Sequence, residues 1–311
     1  MKHWKRLFPI IGIALFIYIL INIDLTEVYG EIKNADLFYI FLAFVLLIIM
    51  LVVQTFKWYL VAVYQNITIP FRKAFEINLI TNFYGFVTPS KAGGIVRAEY
   101  LREYTHDKNI GKGLFNFTID KILDTLSLIF LVIFFSFVFQ DTLDIPLGTI
   151  VLFFIAFLIG IFIFMNKENS KYFLRFFYHR FIGKKYQNIA KLTFDSFYEN
   201  VPKKRYLFLF FILNIVSWLL VYGIIYVIGL SLGIELHFIY YLAILPIGTM
   251  VAILPISISG LGTREAALIA LFGLFGVEAA KVFSMSLINL FIVGVIPSII
   301  GIFLVMRKNK G

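Results

Sequence analysis

The sequence contains no cysteine. That excludes a disulfide framework, a thiol nucleophile and any Cys-ligated metal site. Histidine is nearly as scarce, and His3, His106, His179 and His237 are scattered without a metal-ligand spacing, so no metal or other cofactor is expected. Charge is thin too. Only 15% of the 311 residues are charged and 61% are hydrophobic, whereas soluble domains carry about 25% charged residues. A chain this apolar cannot hide its surface from water by folding alone and needs lipid as solvent. There is no phosphate-cradling nucleotide loop, which argues against ATP hydrolysis. The first apolar run, residues 7–23, follows Lys2, Lys5 and Arg6 in the manner of a signal peptide. Asp24-Leu25-Thr26-Glu27 comes next with no small-residue cleavage site, so the run is read as a retained helix.

What is present fits that reading. Aromatic residues are abundant, with 37 Phe and 17 Tyr. The net charge of +10 is concentrated between the apolar runs, as the positive-inside rule requires, and does not imply a nucleic-acid partner. Six segments approach the roughly 20 apolar residues of a membrane-spanning helix: 7–23, 37–64, 114–139, 146–165, 206–230 and 282–306. Acidic residues between the first two, and Lys/Arg in 72–112, 166–205 and the tail, predict both termini in the cytoplasm of a multi-pass plasma-membrane protein. Two further apolar regions, 75–87 and 240–275, are too broken to be simple spans. The expected fold is therefore all-α, one polytopic transmembrane domain over 1–311. It has six full spans plus two re-entrant helical hairpins, about eight transmembrane segments in all. Hairpins opening to opposite sides suggest an inverted repeat. The loop 166–205 interleaves aromatic and basic residues, a pattern suited to a cytoplasmic headgroup interface.

The two broken regions share a recipe. The first runs Thr88-Pro89-Ser90-Lys91-Ala92-Gly93-Gly94, then Arg97 and Glu99. The second runs Pro255-Ile256-Ser257-Ile258-Ser259-Gly260-Leu261-Gly262-Thr263-Arg264-Glu265. Proline and glycine break the helix, and irregular backbone at membrane depth is tolerated only inside protein or along a wet cavity. A helix start with free N–H groups attracts anions, glycines let a phosphate approach the backbone, and arginine can grip it bidentately. Ser90, Lys91, Gly93, Gly94, Arg97, Glu99, Ser257, Ser259, Gly260, Gly262, Arg264 and Glu265 are thus candidates for binding an anionic lipid headgroup. Asp120 and Asp124 share a helix face inside a span. They predict an intramembrane charge pair with Lys91, Arg97 or Arg264, the alternative being a divalent metal. Lys57 is expected to snorkel to the cytoplasmic side.

These two stretches, with the hydropathy and spacing of nearly the whole chain, resemble the signature stretches of the lysylphosphatidylglycerol synthase transmembrane family of flippase-like membrane proteins. The resemblance implies lipid handling. A soluble aminoacyltransferase domain, which the name-giving synthases carry, is not expected in a chain ending at Gly311. The expected function is movement of an anionic, aminoacylated or polyprenyl-linked lipid between leaflets. The alternatives are a membrane-embedded enzyme of lipid or glycan assembly, or a non-transporting partner of a separate lipid-modifying synthase. No nucleic acid is expected as partner.

Overall fold

The structure is a computed structural model that describes residues 15–142, 147–173, 183, 186–253 and 260–308. Residues 7–14 of the first expected span, residues 254–259, and residues 174–182 and 184–185 of the loop 166–205 lie outside the described residues. All regular elements described are helical. Residues 15–22 are helical, followed by α1 (Leu25–Lys33), α2 (Leu37–Tyr64), α3 (Phe71–Phe86), a 3₁₀ turn (Pro89–Ile95), α4 (Val96–Arg102), α5 (Gly111–Val138) and α6 (Leu147–Met165). Then come α7 (Gln187–Phe197), α8 (Lys204–Ser231), α9 (Phe238–Ile253), α10 (Thr263–Gly273) and a last span. That span is made of α11 (Ala279–Asn289), a π-helical turn (Leu290–Val295) and α12 (Ile296–Lys308).

Five of the described helices are long and apolar enough to cross a bilayer: α2, α5, α6, α8 and the last span. At 1.5 Å per residue, a 28-residue helix such as α2 reaches about 42 Å, beyond a hydrocarbon core of about 30 Å. The 16 residues of α3 and of α9 reach only about 24 Å and must turn back within it. Caps fix where helices begin. Asp36 accepts the Phe38 amide at 2.8 Å at the start of α2, and Asp24 accepts those of Thr26 and Glu27 before α1, bonds that hold its carboxyl below the ordinary range.

The chain repeats one plan. A 28-residue span, a 16-residue arm, a break, a short arm and another long span run from α2 to α5, and again from α8 to α12. The two copies run in opposite senses. The Asp36 amide, at the start of α2, donates to the Ser231 carbonyl at the end of α8. At the other end Tyr64 stacks against Tyr206, 4.0 Å between ring centroids.

The hairpins obey the same inversion. Leu101, from the end of α4, packs with Ile69 and Ala74 at the start of α3, near the Tyr64 end. In the second hairpin Tyr241 meets Phe272 and Tyr240 meets Phe275, each pair at 5.0 Å, near the Ser231 end. The hairpins therefore enter the bundle from opposite ends. Each long arm packs on the other copy's closing span, α3 on α12 and α9 on α5.

The main core joins α2, α8, α9, α10 and α11 around Tyr222, Ile228, Tyr241, Ile244 and Phe272. Outward faces carry exposed Phe41, Ile48, Phe134, Phe137 and Phe303, as expected where lipid is the solvent. α6 buries none of its spanning residues. In the loop 166–205, α7 folds back on the start of α5, where Ser196 donates to Asp107 and Lys112 pairs with Glu199 at 3.0 Å.

Candidate functional site: a charged cavity between the hairpin tips

The first tip is tied by Thr88. Its hydroxyl donates to the Tyr84 carbonyl at 2.8 Å and accepts the Gly93 amide at 2.7 Å. A Cβ on Gly93 would stand 2.2 Å from the Tyr84 oxygen, so the turn closes only with glycine there. Lys91, in the left-handed region with φ of 54°, sits at the tip. One turn later α4 sends Arg97 inward, where it is 2% exposed. Its Nη2 donates to Asp120 Oδ2 at 2.8 Å, and its guanidinium lies over the rings of Trp58 and Phe117 at 5.0 and 5.6 Å.

α5 supplies the carboxylates. Asp120 and Asp124 face α2, where Lys57 Nζ stands 3.1 Å from Asp120 Oδ1 and 2.5 Å from Asp124 Oδ1 and donates to Asn214 Oδ1 at 2.7 Å. Lys121 adds a longer pair to Asp124 at 3.3 Å. Charge inside a membrane protein is stable only when paired and hydrogen-bonded; here α2, α4, α5 and α8 all contribute to the pairing. The expected pair of Asp120 with Arg97 is present. Lys57 departs from expectation: it is 5% exposed and held by two aspartates and an asparagine, so it does not reach for the surface.

The second tip is held locally. Gly260 and Gly262 take φ of 81° and 82°, a conformation natural only to glycine. The Gly262 amide donates to Glu265 Oε2 at 2.6 Å, so the N-terminus of α10 is capped by its own side chain and is not left open for a phosphate. Arg264 Nη2 donates to Glu265 Oε1 and to Ser286 Oγ, both at 2.9 Å, and Ser286 donates to Glu265 at 2.7 Å.

Between the tips lies a cavity of about 310 Å³. Lys91, Gly94 and Arg97 border it from the first hairpin and Arg264 from the second, with Asp120 and Asp124 from α5. Gly93, Gly260 and Gly262 shape the turns behind it, and Glu265 stands behind Arg264. Glu99 points elsewhere; it is exposed and accepts from Arg102 at 3.1 Å. Ser257 and Ser259 lie outside the described residues, as does the side chain of Ser90. Sequence reasoning did not include Gln54, Trp58, Trp218, Thr249 and Asn289, all of which line the cavity. The available signal was an amide, Gln54 or Asn289, inside a mostly apolar span. Among the described residues, three buried atoms on the cavity's side chains have no hydrogen-bond partner: Arg97 Nε, Asn289 Oδ1 and Asp120 Oδ1, the last of which is ion-paired with Lys57. The π-helical turn brings Val293 and Gly294 to the wall, a distortion often found at functional sites.

Opposed helical hairpins around a cavity bordered by charged side chains, inside a multi-pass α-helical bundle, define an integral membrane protein of the inverted-repeat type. The chain belongs to the family described as lysylphosphatidylglycerol synthase TM region, whose profile matches residues 9–301. Relatives include a UPF0104 membrane protein of Pyrococcus horikoshii, 24% identical over 98% of both chains. A UPF0104 membrane protein of Methanothermobacter thermautotrophicus is 22% identical over 89% of this chain and 88% of the relative.

Proposed function

We propose that the protein moves an anionic lipid between leaflets, holding the headgroup in the cavity while the acyl or prenyl chains stay in the bilayer. The carrying observation is that Lys91 and Arg97 from one hairpin and Arg264 from the other border a single cavity, although the hairpins enter from opposite ends. Burying a charged headgroup midway is costly unless countercharges wait there. A site made from both halves of an inverted repeat presents such countercharges to either leaflet as the halves rock. The Lys- and Arg-rich residues flanking the first hairpin support a cytoplasmic mouth for it. The metal-dependent enzyme alternative gains little support, since the carboxylates it needs are engaged by Lys57, Arg97 and Lys121.

The test is leaflet exchange of a headgroup-labelled anionic lipid in liposomes containing the purified chain. Replacing Arg97 and Arg264 together by Gln is expected to slow exchange by more than about tenfold, the equivalent of one lost charge-assisted contact. Because Arg97 is part of a buried ion pair, Lys91→Gln, at an exposed tip residue, gives the same test without disturbing that pair. Unchanged exchange in both variants overturns the assignment.

A further inference from the structure

The cavity carries more positive charge than its own carboxylates neutralise. Lys57, Lys91, Arg97, Lys121 and Arg264 border it. Against these five cations stand three carboxylates: Asp120 and Asp124, paired with Lys57, Arg97 and Lys121, and Glu265, paired with Arg264. Residues 254–259, joining the arms of the second hairpin, are Leu-Pro-Ile-Ser-Ile-Ser and add no charge. Two positive charges remain unanswered. Lys91 makes no ion pair among the described residues. Arg97 spends Nη2 on Asp120 while its Nε, buried on a cavity-lining side chain, has no acceptor among the described residues.

From this excess, and resting on the lipid-handling reading above, we infer that the cavity takes a doubly charged phosphate, a phosphate monoester or a diphosphate, in preference to a singly charged phosphodiester. A monoester carries about −1.5 to −2 at neutral pH, its second proton leaving near pH 6. A phosphodiester brings one negative charge and leaves one cation unmatched. An aminoacylated headgroup brings ammonium groups to a site already in cationic excess. The volume agrees. At about 310 Å³ the cavity lies at the small end of the usual range of ligand pockets, about 300–1,000 Å³, suited to a compact phosphate. Phe86, Phe117 and Leu268 offer apolar wall to the first carbons of the attached chain.

Binding to the purified full chain separates the cases. Trp58 and Trp218 border the cavity and report occupancy by fluorescence once Trp4 is replaced by Phe. The probes are dioleoyl phosphatidic acid, dioleoyl phosphatidylglycerol, lysylphosphatidylglycerol and inorganic phosphate. Phosphatidic acid is expected to bind about tenfold tighter than phosphatidylglycerol near pH 7.5, the gap narrowing to about threefold or less near pH 5 as the monoester takes up its second proton. Lys91→Gln is expected to narrow the gap near pH 7.5 in the same way. If phosphatidylglycerol or lysylphosphatidylglycerol binds as tightly as phosphatidic acid, the inference falls while the lipid-handling reading stands. Binding of inorganic phosphate that no lipid displaces keeps the dianion and removes the lipid. Binding of no probe overturns both.

Discussion

The two hairpins solve the same problem in different ways. Both present arginine to one cavity from a broken helix. In the first, Arg97 is answered by Asp120, on another helix, and that aspartate is shared with Lys57 from a third. In the second, Arg264 is answered by its sequence neighbour Glu265, which also caps the helix they both begin. The first tip is thus stitched into the bundle by long-range charge pairs, whereas among the described residues the charge pairing at the start of α10 is local and reaches outward through Ser286. Cations fixed by distant partners move only if α2 and α5 move with them.

This contrast gives graded predictions. Asp120→Ala leaves Lys57 and Arg97 buried with one carboxylate fewer, and is expected to cost about 3–5 kcal/mol, read as a lowered unfolding midpoint in detergent. A loss below 1 kcal/mol would make the first tip no more integrated than the second. Glu265→Ala removes the cap and an acceptor for Arg264 and Ser286. The expected cost is smaller, about 1–3 kcal/mol, with increased proteolysis or hydrogen exchange confined to the second hairpin. Gly93→Ala forces a methyl group onto the Tyr84 carbonyl and should cost about 1–3 kcal/mol by overpacking, with lipid exchange falling alongside stability. Glu99→Gln changes only an exposed pair with Arg102. It is expected to move stability by less than about 0.5 kcal/mol and to leave exchange intact; a large effect there would mean that Glu99 serves the site.

What the sequence revealed depends on distance along the chain. Residues 37–64 read as a span because their run is overwhelmingly apolar, and the start of α10 was readable because Gly260 and Gly262 break the chain just before Arg264 and Glu265. Asp120 was recognised as a partner for an arginine because a carboxylate inside a span demands one. Lys57 was misplaced for the opposite reason. A lysine near a helix end can snorkel, and nothing within several turns of it reveals that Asp124, 67 residues on, and Asn214, 157 residues on, hold its ammonium group. The expectation of open backbone N–H groups at α10 was overtaken by Glu265, a residue already in view whose role as cap competes with a ligand's. Glu99 shows the reverse error: similar spacing to arginine in the two motifs did not give similar geometry, because α4 turns Glu99 toward Arg102 and away from Arg97.

The absence of cysteine makes the decisive measurement clean. Single-cysteine variants at two cavity-lining positions, Thr81→Cys and Thr249→Cys, are reconstituted in liposomes of known orientation and exposed to a membrane-impermeant thiol reagent from each face in turn. A cavity shared by opposed hairpins and opened to either leaflet predicts labelling of both positions from both faces, slowed by anionic lipid. Labelling from one face alone, whatever the lipid, would contradict passage through the cavity and leave it a fixed binding site at one side of the membrane.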